Sequence, residues 1–377
     1  MEIKLIDRLD LMARHDLLIL PVTEGALLDN PLAAALDSEL EGALSRTAGQ
    51  EDFQGKIGQA LALNTLGRLP VERIVLLGLG EAARLSSERR RRVAGRSVDH
   101  MRKVRAVSVC LVCQAAAGGE TFDPAREASA MAEGIELALY RFGKYKRENG
   151  DKPPYEGPEK LNLLVCGADG VQAAPSAEIC EAVDRAVLVA GAVRTARDLI
   201  NEIPQEMTPE CLARSAMELS GGIPGLSCRV LDEKEMEKEG MGAALAVGRG
   251  SENRPRFIEL TWSPVHRTDS SRHLVLVGKG VTFDSGGLNL KPGESMLSMK
   301  ADMSGAAAVI CAITLIARLK LPLRVTALVA AVENMPSGRS YHPDDIVRAF
   351  DGSTIEIGNT DAEGRLTLAD ALGWAVA

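Results

Sequence analysis

Two short stretches of the chain hold side chains whose types and spacing are suited to catalysis. The first, residues 272–310, is rich in glycine and includes Lys279, Asp284, Lys291 and Asp302. The second, NTDAEGRL at residues 359–366, adds Asp361, Glu363 and Arg365. If the two stretches meet, they bring together four carboxylates, which cannot all ionise side by side unless cations lie between them. Together, these residues predict a metal site.

Each of these residues also has a purely structural interpretation. Lys279 could be a surface lysine, Lys291 could pair with some carboxylate, and Asp302 could cap the alanine-rich helix that follows it. NTDAEGRL could simply begin a helix, because Thr and Asp cap helix N-termini and Glu suits the first turn. For any one residue alone the structural interpretation holds. The metal site is favoured by the complete set, in which glycines allow close approach of the backbone.

The available ligands indicate which metals the site would bind. None of the five histidines lies beside the acidic residues of the two stretches, and His273 stands at the start of the strand-like run before Lys279; the others are His15, His100, His266 and His342. A single-zinc site rich in histidine is therefore disfavoured. Carboxylate oxygens with one amine suit Mn²⁺, Mg²⁺ or a pair of Zn²⁺ ions, which bridging carboxylates hold about 3.5 to 4 Å apart. A metal-bound hydroxide would then be the nucleophile.

Both stretches follow segments that have the pattern of β-strands. RHLVLVGKG comes before Asp284, and STIEIG comes before NTDAEGRL. In an α/β sheet, ligand sites form at the C-terminal ends of the strands. We therefore expect the two loops to face one another, each at the end of its own strand.

The rest of the chain predicts two α/β domains. Residues 1–172 alternate apolar runs such as RIVLLGLG with charged, helix-like segments, which is typical of a largely parallel sheet. Residues 173–200 have apolar positions at helical spacing and are followed by Pro204, which predicts a long linker helix. Residues 201–377 are predicted to form the second domain, which carries both acidic stretches.

Composition and charge exclude several classes of function. A net charge of -8 and an isoelectric point near 5.4 argue against nucleic acid or an anionic membrane as a partner. The four arginines at residues 89–92 are interpreted as a solvated helix face.

The N-terminus lacks the apolar core of a signal peptide, and seven scattered cysteines indicate a reducing compartment. The longest apolar run, residues 306–316, is shorter than the roughly 20 residues that span a bilayer. We expect a cytoplasmic protein.

Five motifs reveal a resemblance to a known family. In order, VGKGVTFDSGG, LNLKP, MKADMSGAAAV, ENMPSG and NTDAEGRL closely resemble the leucyl aminopeptidase (cytosol aminopeptidase) family. The resemblance implies a dinuclear-metal enzyme that removes N-terminal residues, with a leucine-type preference, from peptide substrates. It also implies an N-terminal α/β domain similar to the macro fold and a C-terminal α/β catalytic domain with a mostly parallel central sheet. Members of the family assemble as homohexamers.

The resemblance assigns a role to each of the seven residues. One divalent ion, Mn²⁺ or Zn²⁺, would be held by Asp284, Asp361 and Glu363. The other would be held by Lys279, Asp284, Asp302 and Glu363. Lys291 would polarise the scissile carbonyl and stabilise the oxyanion. Arg365 would hold a bicarbonate ion that acts as general base, and its predicted place at a helix N-terminus suits an anion.

The sequence departs from the family pattern in two places. Asp344 stands where a glycine is expected, outside the site motifs. Family members also continue beyond the position equivalent to residue 377, so the catalytic domain is expected to be incomplete here. Missing strands would leave a sheet edge and apolar helix faces uncovered. We therefore expect the 377-residue chain, expressed alone, to have an association-prone catalytic half and little peptidase activity.

Two alternatives to an aminopeptidase are open at this point. Some relatives of this kind bind DNA, so the chain could be an inactive scaffold or a DNA-binding accessory protein. The acidic charge and the complete set of seven residues argue against this alternative. A different two-metal hydrolase, such as a phosphatase, would act on phosphate esters and not on amino-acid amides.

Overall fold

The computed structural model describes residues 1–6, 14–25, 27–115, 122–146, 153–167, 174–264 and 273–377. The chain divides into two compact units, Met1–Gly191 and Ala192–Ala377. The boundary lies within a 25-residue helix, Ala177–Asn201, at the position where the sequence pattern predicts a long helix.

The N-terminal unit is built on a six-stranded sheet. Its strands are β1 Glu2–Ile6, β2 His15–Thr23, β3 Ala60–Asn64, β4 Val71–Gly80, β5 Ser108–Gln114 and β6 Lys160–Cys166. They lie in the order β1-β6-β5-β2-β4-β3, and every pair is parallel except β3 with β4. The largely parallel sheet predicted for this half of the chain is confirmed.

Helices cover both faces of this sheet. They are α1 Pro31–Glu39, α2 Ala43–Gln50, α3 Ser87–Val104, α4 Pro124–Leu139 and the long helix α5 Ala177–Asn201. Because successive strand residues point to opposite faces, Leu17 packs with α3 and α4 whereas Leu18 packs with α1 and α2. Ser86 caps α3 by accepting a hydrogen bond from the Arg89 amide. The unit thus has one apolar core on each side of its sheet.

The C-terminal unit has a second sheet and a separate hairpin. The strands are β7 Leu226–Leu231, β8 Arg256–Trp262, β9 His273–Val277, β10 Gly280–Asp284, β11 Arg324–Asn334, β12 Ile346–Arg348 and β13 Thr354–Glu356. Both β9 and β10 pair with β11 in parallel, and β8 pairs antiparallel with β11 and β7. Four of the five sheet strands therefore run in one direction, as the sequence predicts.

Two groups of helices pack on the faces of this sheet. The helices are α6 Pro209–Ser220, α7 Glu233–Glu239, α8 Gly242–Gly248, α9 Gly293–Met296, α10 Ser304–Arg318 and α11 Gly364–Val376. Helices α6 and α10 contribute to one apolar core, and α8 and α11 contribute to the other. Along β11, Val329 faces the first core and Ala330 the second. The sheet is therefore fixed from both sides at the end where β10 and β11 stop.

The segment STIEIG contains the strand expected before NTDAEGRL, at Thr354–Glu356. Among the described residues this strand pairs only with Ile346–Arg348, in a two-stranded antiparallel hairpin that is separate from the sheet of β10. The cause is local, because Gly352 adopts φ +85° and turns the chain back after β12. The acidic stretch NTDAEGRL therefore follows a hairpin and not a strand of the central sheet.

Asp344, the residue found where a glycine is expected, has a strained backbone. Its φ is +71°, in the left-handed region that glycine adopts without steric cost. Its amide donates a hydrogen bond to the Ile357 carbonyl at 2.7 Å, which ties the strained residue to the end of the hairpin. The expectation of glycine thus reflects a conformational requirement of this turn.

One helical stretch among the described residues, Met299–Arg318, is long and apolar enough to cross a membrane by length and composition alone. Its α10 part places Ala306, Ile310 and Ile313 in the core beside the sheet of its own unit. Its apolar character is explained by this packing.

Candidate metal centre

The first part of the site lies at the C-terminal end of β10. Asp284 is the last residue of this strand and is 2% exposed. Its Oδ1 accepts hydrogen bonds from the Gly286 amide at 2.9 Å and from Asn334 Nδ2 at 2.8 Å. The other oxygen, Oδ2, lies 3.0 Å from the Lys291 ammonium. Asp284 therefore presents one of its two oxygens to the site.

Lys279 occupies the break between β9 and β10. Its Nζ lies 2.7 Å from Asp302 Oδ1 and 2.7 Å from Glu363 Oε1. A Cβ atom on Gly364 would lie 2.8 to 3.0 Å from three atoms of the Lys279 side chain, so a larger residue here would force the lysine to move from its present position. This contact joins the chain just after β9 to the start of α11.

Lys291 forms the second pair of ionic contacts. Its Nζ contacts Asp284 Oδ2 and pairs closely with Asp361 Oδ1. The Lys291 amide donates a hydrogen bond to the Ser285 carbonyl at 2.9 Å, which folds the loop after β10 back on itself. The two lysines thus each stand between two carboxylates.

The carboxylates approach one another closely enough to share a cation. Ligand oxygens of Asp284, Asp361 and Glu363 all lie within 4.8 Å of each other. With Asp302 included, four carboxylates face two ammonium groups, which leaves two negative charges without compensation. Such an arrangement is unfavourable in a partly buried site unless additional positive charge is supplied.

The pKa values reflect this crowding. Burial raises the pKa of Asp302 and of Glu363, and the hydrogen bonds to Lys279 only partly oppose it. Burial lowers the pKa of Lys279 and of Lys291, but their carboxylate partners prevail and the pKa of each lysine is raised. The cluster therefore binds protons strongly, as expected where negative charge is in excess.

Unpartnered oxygens show that this donor set fits divalent cations. Asp302 Oδ2 and Glu363 Oε2 are buried, and neither has a hydrogen-bond partner in the part of the chain that the structure describes. Leaving such an oxygen unpaired costs about 1 to 3 kcal/mol or more for a charged group. Hard oxygen ligands at this density are those that Mn²⁺, Mg²⁺ or paired Zn²⁺ ions accept.

Comparison with known families shows the origin of this arrangement. The family model described as "Cytosol aminopeptidase family, catalytic domain" matches residues 194–377. The model of the same family's N-terminal domain matches residues 19–149. The chain belongs to the cytosol aminopeptidase family. This family consists of metal-dependent peptidases, so the acidic cluster lies in the domain that carries their catalysis.

Individual relatives agree with the family assignment. A probable cytosol aminopeptidase of Geobacter sulfurreducens is 42% identical over 92% of this chain and 67% of its own length. A second, from Thermosynechococcus vestitus, is 40% identical over 96% of this chain and 70% of its own length. The chain thus spans about two thirds of the length of these cytosol aminopeptidases.

Solved structures of the family have the same fold. A variant of tomato leucine aminopeptidase superimposes with a TM-score of 0.83 at 34% identity, over 99% of this chain and 71% of that chain. The bottromycin maturation enzyme BotP, in complex with Mn, gives a TM-score of 0.77 at 36% identity, over 95% of this chain and 68% of that chain. The two-unit α/β architecture is therefore that of the cytosol aminopeptidase family.

Six of the seven residues predicted from the sequence converge in one cluster. They are Lys279, Asp284, Lys291, Asp302, Asp361 and Glu363. The seventh, Arg365, lies in the first turn of α11 with an exposed side chain, and the ion pairs of the cluster do not include it. Its helix N-terminus leaves it open to solvent, where an anion could reach it.

A polar network behind the cluster was not predicted from the sequence. Thr360, which is fully buried, donates from Oγ1 to the Gly286 carbonyl at 2.7 Å and accepts from the Asn289 amide at 2.8 Å. Tyr341, 1% exposed, donates from its hydroxyl to the Thr360 carbonyl at 2.7 Å. These bonds attach the loop after β10 to NTDAEGRL. The only signal in the sequence was the presence of polar residues inside otherwise apolar or glycine-rich motifs.

Proposed function

We propose that the protein is a metal-dependent aminopeptidase that hydrolyses the N-terminal residue, with a leucine-type preference, from peptides. The observation that carries this proposal is that four carboxylates and Lys279 converge inside a catalytic domain of the cytosol aminopeptidase family. Some of the carboxylate oxygens are buried and have no hydrogen-bond partner among the described residues. When bound, two divalent cations would supply Lewis acidity and lower the pKa of a water molecule. Mn²⁺ and Zn²⁺ are the candidates.

The proposed division of ligands between the two ions follows the resemblance to the family. Asp284, Asp361 and Glu363 would hold one ion, and their oxygens lie within 4.8 Å of one another. The second ion would be held by Lys279, Asp284, Asp302 and Glu363, of which Asp302 and Glu363 both contact the lysine. Asp284 and Glu363 would therefore serve both ions.

Lys279 must lose a proton before it can bind a metal. Its carboxylate partners raise its pKa, so without a cation the amine is protonated at neutral pH. A neighbouring divalent ion favours the neutral amine, and binding then releases a proton. Metal affinity should consequently fall as the pH falls, because protons compete for Lys279, Asp302 and Glu363.

Lys291 would act on the substrate and not on the metals. It contacts Asp284 and Asp361, which are assigned to one ion, so that ion and the ammonium compete for the same oxygens. The carboxylates would prefer the divalent ion, which leaves the ammonium free to polarise the scissile carbonyl and stabilise the oxyanion. A donor in this position acts chiefly on the transition state.

Arg365 would hold the general base. Its exposed guanidinium at the N-terminus of α11 combines a fixed positive charge with the helix dipole, which together suit a bicarbonate ion. If so, removal of bicarbonate should slow the wild-type enzyme but have little further effect on the Arg365→Ala variant. A wild-type rate that is independent of bicarbonate would contradict this assignment.

The substrate's terminal amine would bind one of the two ions in its neutral form. An amine that binds one of the ions explains why only terminal residues would be removed. We further propose that the enzyme is cytoplasmic and homohexameric, as the resemblance implies. The acidic net charge makes nucleic acid an unfavourable partner.

Hydrolysis of leucine amide by the complete gene product tests the proposal. After removal of metal with a chelator, activity should be absent and should return with Mn²⁺ or Zn²⁺. N-Acetyl-leucine amide is the matched control, because it lacks a free amine and should not be cleaved. Cleavage of phosphate esters in place of amides would favour the phosphatase alternative. Metal-loaded protein that cleaves neither would favour the inactive scaffold.

A further inference from the structure

Asn334 stands at the point where the two acidic loops meet. It is the last residue of β11 and is fully buried. Its Nδ2 donates hydrogen bonds to Asp284 Oδ1 at 2.8 Å and to the Thr360 carbonyl at 3.0 Å. One amide group therefore contacts a carboxylate of the first loop and the residue that precedes Asp361 in the second.

We propose that Asn334 is a positioning residue that sets the orientation of Asp284 and holds the two loops at the spacing that shared metal ions require. This inference rests on the proposed function, because it assigns Asn334 a role only through the metal ligands. Asn334 itself would touch neither metal nor substrate. Residues of this kind, which orient metal ligands from behind, are typical of metal enzymes.

The orientation of Asp284 follows from its hydrogen bonds. Its Oδ1 accepts from both the Gly286 amide and Asn334, so Oδ2 alone faces the centre of the cluster. Without the Asn334 donor, Oδ1 would keep one backbone partner, and rotation of the carboxylate would become easier. The same loss would remove a direct tie between Asp284 and the loop that carries Asp361.

The acceptor side of Asn334 supports a role beyond filling space. Its Oδ1 is buried and has no hydrogen-bond partner among the described residues. A Cβ on Gly287 would lie 2.8 Å from this oxygen, so the oxygen faces the backbone of the first loop. An unpaired buried carbonyl costs about 1 to 3 kcal/mol, so an apolar side chain would serve a purely structural position better. The two hydrogen bonds donated by Nδ2 therefore explain why an asparagine and not an apolar residue stands at position 334.

The tie works against electrostatic repulsion between the loops. Asp284 and Asp361 belong to different loops, and both carry negative charge when ionised. The Thr360 carbonyl receives hydrogen bonds from Asn334 and from the Tyr341 hydroxyl, and both donors are almost completely buried. Lys291 contacts both carboxylates and offsets part of this repulsion, and the neutral groups behind the cluster also hold the loops together before a metal ion binds.

Metal titration of Asn334 variants tests the proposal. The variants Asn334→Leu and Asn334→Ala both remove the donor, and the alanine variant cannot overpack the site. Asn253 provides the matched control, because its Nδ2 donates to the Glu333 carboxylate at 3.0 Å beside the same strand. Mn²⁺ affinity of the metal-free complete gene product would be measured by calorimetry, together with thermal unfolding of the metal-free form.

We expect the Asn334 variants to bind Mn²⁺ about 10- to 100-fold more weakly, a loss typical of removing such a support. The Asn253→Leu variant should keep wild-type affinity. Wild-type affinity in either folded Asn334 variant would overturn the proposal, and so would failure of both to fold while the control folds. Wild-type protein that binds two ions but cleaves no amide would contradict the proposed function and leave the role of Asn334 in metal binding intact.

Discussion

Two clusters of buried charge in the described part of the molecule differ in charge balance. In the N-terminal unit, Arg90 Nε lies 3.0 Å from Glu127 Oε2, and both side chains are almost fully buried. Arg90 also donates to the Gln114 carbonyl, and Ser87 donates to Glu127. One positive charge meets one negative charge there. In the C-terminal unit, four carboxylates meet two lysines.

The difference shows how a structural ion pair can be told from a binding site. A balanced pair with hydrogen bonds from its neighbours is complete, and its removal is felt mainly as lost stability. The cluster around Lys279 has surplus negative charge, and its buried oxygens Asp302 Oδ2 and Glu363 Oε2 have neither a hydrogen bond nor an ion-pair contact in the described chain. Glu127 Oε2 also lacks a hydrogen bond, but it contacts the Arg90 guanidinium. Substitutions in the N-terminal pair should therefore lower stability and leave metal binding unchanged. Substitutions of the metal ligands in the C-terminal cluster should weaken metal binding.

The largest effect on catalysis is expected for Asp361→Asn. This change removes one charge and one ligand from the ion held by Asp284, Asp361 and Glu363, so amide hydrolysis should be abolished. Bound metal should fall from about two ions per chain to about one. Metal analysis and an activity assay would measure both effects, and circular dichroism should show an intact fold. Full activity of the Asp361→Asn variant would show that Asp361 is not a metal ligand.

Lys291→Met should reduce catalysis without loss of metal. The expected decrease in kcat is about 10²- to 10³-fold, as for the removal of one oxyanion donor. Loss of the Lys291 ammonium leaves Asp284 and Asp361 free for the cation, so metal content should not fall. A decrease in bound metal would show that Lys291 belongs to the metal ligands.

Lys279→Met should have the opposite signature. The affinity for one of the two ions should decrease by at least about 10-fold, and excess metal should restore part of the activity. The comparison with Lys291→Met is well matched, because both lysines stand between two carboxylates. Equal metal content and equal kcat in the two variants would show that the division of roles between the lysines is wrong.

The smallest effect on catalysis is expected in the N-terminal unit. Arg90→Met should lower the free energy of unfolding by about 3 to 5 kcal/mol, because it leaves Glu127 buried without its partner. The double variant Arg90→Met with Glu127→Leu should recover much of this stability. Metal content and kcat per folded molecule should match the wild type in both. Loss of metal in either variant would contradict the contrast between the two clusters.

The sequence predicted the parts of the fold and site that depend on local pattern. The strand ending at Asp284, the long helix Ala177–Asn201 and the largely parallel N-terminal sheet follow from hydrophobic periodicity. The mostly parallel C-terminal sheet was implied by the resemblance to the family. The strand expected before NTDAEGRL is present at Thr354–Glu356, but it pairs in a hairpin that turns near Gly352 and not in the central sheet. The hydrophobic pattern of a segment as short as STIEIG does not show whether its strand pairs in the central sheet or in a separate hairpin.

The sequence could not predict which charges would pair. Lys279 meets Glu363 across 84 positions, and Asn334 meets Asp284 across 50, so both contacts depend on how the loops fold over the sheet. Residue type and spacing predicted the candidate ligands but not the residues with which each of them pairs. The network around Thr360 could not be predicted either, because neutral polar residues carry no charge pattern that would reveal them.

The central claim is that the surplus negative charge exists to hold two cations. The most direct test is to strip the complete gene product of metal, titrate it with Mn²⁺ and separately with Zn²⁺, and count the ions that remain bound. The account predicts about two ions per chain, with proton release on binding. Saturation at one ion or none with both metals would contradict it.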